Sequence, residues 1–486
     1  MTTAESPATT ARRPATAWPL ENAVFSAAMF AHRLPWTDAP ARALGLDALT
    51  RDGVRGGLLA HLRRTRSGRP VRLRTAFGTF LVPPSGADAA SLLAAAQEAG
   101  VLGAPSGLTP GGLRYGLSPH VPLEREVPVA RGQWAALAAE DVDAVIAARR
   151  GDGTLDRDTW RRGAARVARR VVVGAAAAED TLLSEVAARA AAESGSRSHR
   201  VRSAALERRL APYLADPDPA SLAGWLLADG AAPEAAGPAV THALAVVEGA
   251  VAGSALQALA LLAVGSVAGA GEAVGEALRR YPAVGAAVYP VEGAFVWEDL
   301  AVEHGTEILW APGWAPGEDR PGQGPSALCG APSGCAAAHP DGCAAARFAE
   351  HVAEEVVRRV TAAVHPVLIS PSFSADRLPD ALDPDTLLVA FREAGGLIPD
   401  GRVTVGLPAA LPVRVHGFAP AAYGALAHAS ADRLERHAES LAACAGHSGW
   451  DTDEAGERFR MTLLGHAERC AKAAGDVRRA AKRLAG

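Results

Sequence analysis

With 486 residues, 49% of them apolar, the chain is long enough for one large domain or two ordinary ones and too apolar for global disorder. Its 49 basic and 53 acidic residues leave a net charge of −4, which points away from nucleic acid and from a membrane surface as partners. Five cysteines do not make a disulfide scaffold at this length, and the three closest together, Cys329, Cys335 and Cys343, include no C-x-x-C pair, so their spacing does not indicate a zinc knuckle.

Residues 1–18 have no apolar core behind their charges, as a signal peptide would, and read as a disordered leader; the expected compartment is the cytoplasm. Residues 19–66 read as two or three short helices. Val71, Leu73 and Thr75 then alternate, a turn follows near Gly78, and Phe80–Val82 form a second apolar run: a hairpin, stopped by Pro83 and Pro84. The Ala/Leu-rich run 88–98 is a helix entered through Ser85 and Asp88. Gly and Pro dominate 101–133, which predicts a long loop without elements.

From 134 to 286 the period is helical, broken at 151–156, 193–198 and 229–238. Residues 243–270 are apolar enough to suggest a membrane span, but no basic cluster or aromatic belt flanks them, and a long helix buried in a large domain accounts for the pattern. Strand character returns at 287–311 as a hairpin, 312–342 are irregular, and a helix covers 344–364. Short strands are expected at 366–370 and 402–416, and a two-helix hairpin broken at 446–452 follows from about 419. The sum is a mainly α fold with small β-sheets. Strands and helices do not alternate, which excludes a doubly wound parallel sheet, and neither G-x-G-x-x-G after a strand nor a P-loop is present.

Several motifs fall in a telling order. Glu276 and Arg279 lie three apart on a helix and can pair on one face. Tyr281-Pro282 closes that helix, and an extended run and the hairpin FVWEDLAVEHGTEIL follow. The apolar run ending ALQALALLA (255–263) precedes it. Cys343 follows a Pro-Asp-Gly turn and stands directly before an uninterrupted helix, whereas Pro340 and Gly342 would break any helix begun at Cys335.

In this order the chain resembles the cytochrome P-450 (haem-thiolate monooxygenase) superfamily, as a divergent bacterial member. E-x-x-R at 276–279 is similar to that of the K-helix, 243–263 to the oxygen-side I-helix, 168–194 to the helices before it, and 68–98 to the first sheet and its helix. The resemblance spans residues 20–418. It predicts a cytochrome P-450-like domain over 19–418 and a C-terminal helical hairpin extension over 419–486. That extension lies outside the family pattern and is a candidate docking element for a protein partner.

The resemblance implies haem iron held by Cys343, since in this family one cysteine thiolate ligates the metal and favours O–O cleavage. It implies Glu276 and Arg279 as the node supporting the cofactor site, His120 and Arg125 as the nearest counterparts of a propionate anchor, and Glu248 as a proton donor to bound dioxygen. A small apolar or secondary-metabolite substrate and an electron donor of the ferredoxin/reductase type would follow. Other positions depart from the pattern. Ala336, His339 and Asp341 stand where the haem loop has Phe, Gly and a basic residue, Ala345 replaces a Gly, and Tyr289 falls where a propionate-binding cation is usual. No Thr accompanies Glu248. Scaffold signatures persist while cofactor contacts are lost, which frames the alternative: a haem-free homologue acting as a binding or scaffold protein.

Overall fold

In the computed structural model, the described residues cover most of 12–393 and two helical stretches between 431 and 485. Residues 1–11, 34–48, 122–126, 128–132, 315–324, 332–342, 394–430, 447–453 and a few shorter stretches lie outside them. Arg125, Cys335 and the strand expected at 402–416 therefore fall outside the described residues, as does most of the break at 446–452. The chain divides into two compact units, Met1–Leu397 and Ile398–Gly486.

The first unit is mainly helical with small sheets. Its seven-stranded sheet runs β1-β2-β3-β9-β6-β4-β5, built from β1 (Ala15–Thr16), β2 (Val71–Thr75), β3 (Gly78–Val82), β4 (Ser106–Leu108), β5 (Arg114–Gly116), β6 (Ala287–Pro290) and β9 (Glu307–Trp310). The expected hairpin of β2 and β3 pairs Val71 with Val82 and Thr75 with Gly78. Period-two alternation sorts its side chains onto two faces: Leu81, Tyr289, Ile308 and Trp310 enter one core, and Leu73, Phe80, Val288 and Leu309 enter another. The last residues of the leader range pair with β2, Ala15 opposite Val71.

Two expectations need correction. Residues 101–133 are not a loop without elements, because β4 and β5 pair with each other and β4 pairs with β6. These strands of three residues carry Ser-Gly-Leu and Arg-Tyr-Gly, too short and too mixed for alternation to show. The hairpin expected over 287–311 also splits. Phe295–Trp297 (β7) and Leu300–Val302 (β8) pair alone, while β6 and β9 join the large sheet.

The helices are α1 (Pro19–Ala31), α2 (Arg51–Thr65), α3 (Gly86–Glu98), α4 (Gln133–Ala147), α5 (Arg157–Val172), α6 (Thr181–Ala192), α7 (His199–Ala215) and α8 (Leu222–Ala228). Then follow α9 (Pro233–Gly249), a π-helical turn at Ala250–Ser254, α10 (Ala255–Ala263), α11 (Ala270–Arg280) and α12 (Ala344–Ala363). Local caps set several ends: Ser85 accepts from the Asp88 amide at α3, and Ser221 from the Gly224 amide at α8.

α9, the π-turn and α10 make one continuous helix, Pro233–Ala263, long and apolar enough to cross a membrane, with 72% of its most apolar window buried inside the protein. Trp160 on α5 donates its indole N–H to the Ala252 carbonyl at 3.0 Å, satisfying an acceptor in the π-turn. Gln257 on α10 donates to Leu382 O at 2.6 Å. The core around this helix includes Val240, Leu244, Val247, Leu259, Phe348, Val352 and Val356. α12 runs straight into β10 (Val364–Ser370), which pairs antiparallel with β11 (Leu388–Glu393).

In the second unit the main element is α13 (Glu454–Ala485). Ala431, Ala438 and Ala445 in one helical stretch, and Ala467 and Ala474 in α13, are buried at seven-residue steps, and Arg478 pairs with Asp432 at 2.6 Å and with Glu435. This is a small-residue seam between helical segments.

Candidate metal centre

Cys343 is the N-cap residue of α12, in extended backbone geometry, and its carbonyl accepts from the Arg347 amide at 3.1 Å. The Pro-Asp-Gly turn before it lies outside the described residues, but the outcome is clear: the Sγ atom is placed at the N-terminus of a 20-residue helix, where the helix dipole favours negative charge. Cys343 is 5% exposed.

Three further side chains converge on that sulfur. His120, on the segment that leaves β5, brings Nδ1 to 3.8 Å of Sγ. His242, in the middle of α9 and fully buried, brings Nε2 to 3.8 Å of the same sulfur. The two imidazole nitrogens lie 3.2 Å apart and the rings meet edge to face with centroids 4.9 Å apart. Cys329 completes the group, and one donor atom from each of the four residues lies within 4.8 Å of every other. The hydrogen bond with Cys329, with help from the two histidines, lowers the Cys343 pKa, and that same bond together with burial raises the pKa of Cys329.

The Cys329 loop is held tightly. Ser326 donates its amide to Ala331 O, and Gly330 donates back to Ser326 O at 2.8 Å. Gly330 has a φ of 64°, and a β-carbon there would press on Leu117 at 3.1 Å, so this turn needs glycine. Tyr289, buried on β6, donates its hydroxyl to the Gly330 carbonyl at 2.7 Å, and burial pushes its pKa well up, so it stays a donor. The position where a propionate-binding cation was the family expectation is thus a clamp on the loop that carries Cys329.

The other residues singled out in sequence lie elsewhere. Glu276 accepts from Arg279 at 2.8 and 2.7 Å and also from Arg280, forming a partly exposed node on α11. That pairing lowers the Glu276 pKa. Glu248 faces α5 and α6. Burial raises its pKa, against a hydrogen bond from Ser184 and the charge of Arg169. Arg169, 3% exposed, donates to Ala178 O at 3.0 and 2.7 Å and to Ser184 Oγ at 2.8 Å. Of the six candidates, Glu276 and Arg279 pair with each other on α11, His120 and Cys343 meet at the cluster, Glu248 stands apart from both, and Arg125 lies outside the described residues. His242 and Cys329 were not singled out. One is a lone histidine in an apolar helix, the other a cysteine outside any C-x-x-C pair, and their convergence is tertiary.

A porphyrin does not fit this arrangement. Cys343 would have to offer its sulfur to the haem iron, and here two imidazole nitrogens at 3.8 Å and a second sulfur crowd that atom. The donor set instead suits a single ion bound from four sides.

No family model matches the chain, and no curated protein matches it. Among solved structures it is similar to cytochromes P450. CYP150A6 of Mycobacterium marinum matches at 14% identity and a TM-score of 0.44, over 70% of this chain and 96% of that one. OxyD, from vancomycin-type antibiotic biosynthesis, matches at 15% identity and a TM-score of 0.40, over 69% and 96%. CYP109B1 of Bacillus subtilis matches at 14% and 0.40, over 54% and 80%.

Proposed function

We propose that this chain is a haem-free relative of the cytochrome P-450 type that acts by binding rather than by oxidation, with its former ligand cysteine built into a closed His/Cys centre. One observation carries the reading: Cys343 Sγ has His120 and His242 nitrogens at 3.8 Å and Cys329 beside it, where a haem would need open space. Four protein donors around one point leave no position for dioxygen, water or substrate, so the centre fits a structural role rather than a catalytic one. The E-x-x-R node and the long buried helix support descent from the same scaffold, since both persist without a cofactor to serve. Binding of a partner protein falls most naturally to residues 419–486, where Met461 and Leu464 are exposed on α13. A cytoplasmic location is consistent with the burial of the apolar helix.

The competing reading keeps the thiolate as a haem ligand, with a small apolar substrate and a ferredoxin-type donor. Its support is the placement of Cys343 at a helix N-terminus, which favours a thiolate. An absorption spectrum of the purified chain, reduced and exposed to carbon monoxide, separates the two. The haem-free reading expects no Soret band, even after growth with haem precursor. A thiolate-type band lost in Cys343→Ala would overturn it.

A further inference from the structure

We infer that His120, His242, Cys329 and Cys343 form a tetrahedral zinc(II) site that staples four separate segments of the first unit. This deepens the haem-free reading and rests on it.

Geometry comes first. Zinc–nitrogen bonds of about 2.0–2.1 Å and zinc–sulfur bonds of about 2.3 Å place tetrahedral ligand atoms roughly 3.3 Å apart for N···N and roughly 3.6 Å for N···S. The corresponding distances here are 3.2 Å between the imidazole nitrogens and 3.8 Å from Cys343 Sγ to each of them. Hydrogen bonding explains this spacing less well. Two ring nitrogens facing each other share one proton, and a thiol at 3.8 Å adds little to either.

Chemistry narrows the ion. Two imidazoles and two thiolates without an oxygen donor exclude calcium and magnesium, which take oxygen ligands. Mixed N₂S₂ coordination in a tetrahedron selects zinc among the common divalent ions. A two-iron, two-sulfide cluster also uses two histidines and two cysteines, but they bind different irons with bridging sulfides between them. Donor atoms that all lie within 4.8 Å of one another leave no room for that core.

Topology explains what the ion would do. His120 and His242 are 122 residues apart, and His120 and Cys343 are 223 apart. One ion would tie the β5 exit, the central buried helix, the Cys329 turn and the start of α12. Cys329, His242 and Cys343 are 7%, 0% and 5% exposed, so three of the four ligand residues are buried and His120 is half-buried. The Tyr289–Gly330 hydrogen bond fixes the Cys329 turn from behind, in the way outer-shell contacts orient metal ligands.

The test is titration of cobalt(II) into the full-length chain, stripped of metal by chelation under reducing conditions. Wild type is expected to bind one equivalent with the intense visible bands of tetrahedral cobalt and a near-ultraviolet thiolate charge-transfer band, both removed by added zinc. Cys329→Ser and Cys343→Ser should each lose about half of the charge-transfer intensity, as one of two thiolates is removed. Cys470→Ser, on α13, should change nothing. A weak octahedral spectrum in wild type, or charge transfer unaffected by both cluster variants, would overturn the site while leaving the haem-free reading intact. Acid-labile sulfide with iron in the protein as isolated would also overturn it. A Soret band in the same sample would instead sink the reading on which the site rests. Because the decisive spectrum is that of wild type, failure of a variant to fold does not shelter the inference.

Discussion

Replacing Arg169 by methionine tests whether Glu248 belongs to a structural network. The Arg169 guanidinium, 3% exposed, donates two hydrogen bonds to the Ala178 carbonyl and one to Ser184, and its charge acts on the Glu248 carboxylate. Methionine keeps much of the volume but leaves the buried Ala178 carbonyl short of donors and the half-buried Glu248 carboxylate with Arg161 as its remaining cationic influence. Leaving a buried hydrogen-bonding group unsatisfied costs about 1–3 kcal/mol, and this site falls in that range. Glu248→Gln alone should change stability by less than about 1 kcal/mol at neutral pH, because it removes an ionised group whose burial is itself costly. In the Glu248→Gln background the Arg169→Met cost should shrink by about 1 kcal/mol, since the carboxylate that Arg169 offsets is then gone. Urea denaturation at constant slope, read for all four proteins of the cycle, gives these differences. Additivity within about 0.5 kcal/mol would refute the coupling and return Glu248 to the candidates for another role.

Two further expectations follow from the same contacts. Glu276→Gln should cost about 0.5–1 kcal/mol at neutral pH, because the Arg279 hydrogen bonds and charge hold the Glu276 pKa below its ordinary value on a partly exposed surface. A depressed carboxylate stabilises above its unfolded pKa of about 4.3 and loses that contribution as pH falls through the folded value, so wild type and variant should converge in acid. Urea midpoints at neutral and acid pH check this, and a difference that stays constant would contradict it. Tyr289→Phe removes the donor to Gly330 O and should weaken metal affinity about 10–100-fold, measured by competition with a chromophoric chelator. Unchanged affinity would show that the Cys329 turn does not depend on the tyrosine.

What was legible in the sequence was what is local. The β2–β3 hairpin, α3 with its Ser85 cap and α12 starting just after Cys343 each carry their signal within a dozen residues. β4 and β5 were hidden because short strands owe their existence to pairing with a distant partner, β6. The His/Cys cluster was half visible. Cys343 announced itself by its place before a helix, and His120 stood out as a basic residue among prolines. His242 looks in sequence like any polar residue in a buried helix, and Cys329 like a small core thiol. No periodicity connects positions a hundred residues apart, so only the folded chain brings these donors together.

The most direct test of the central claim is the elemental content of the full-length protein, purified without affinity tags that bind metal and measured by plasma mass spectrometry. A closed His/Cys centre in a haem-free chain requires about one zinc per chain and essentially no iron. Iron near one per chain with zinc absent would contradict it, and a Soret band with that iron would restore Cys343 to the role of a haem ligand.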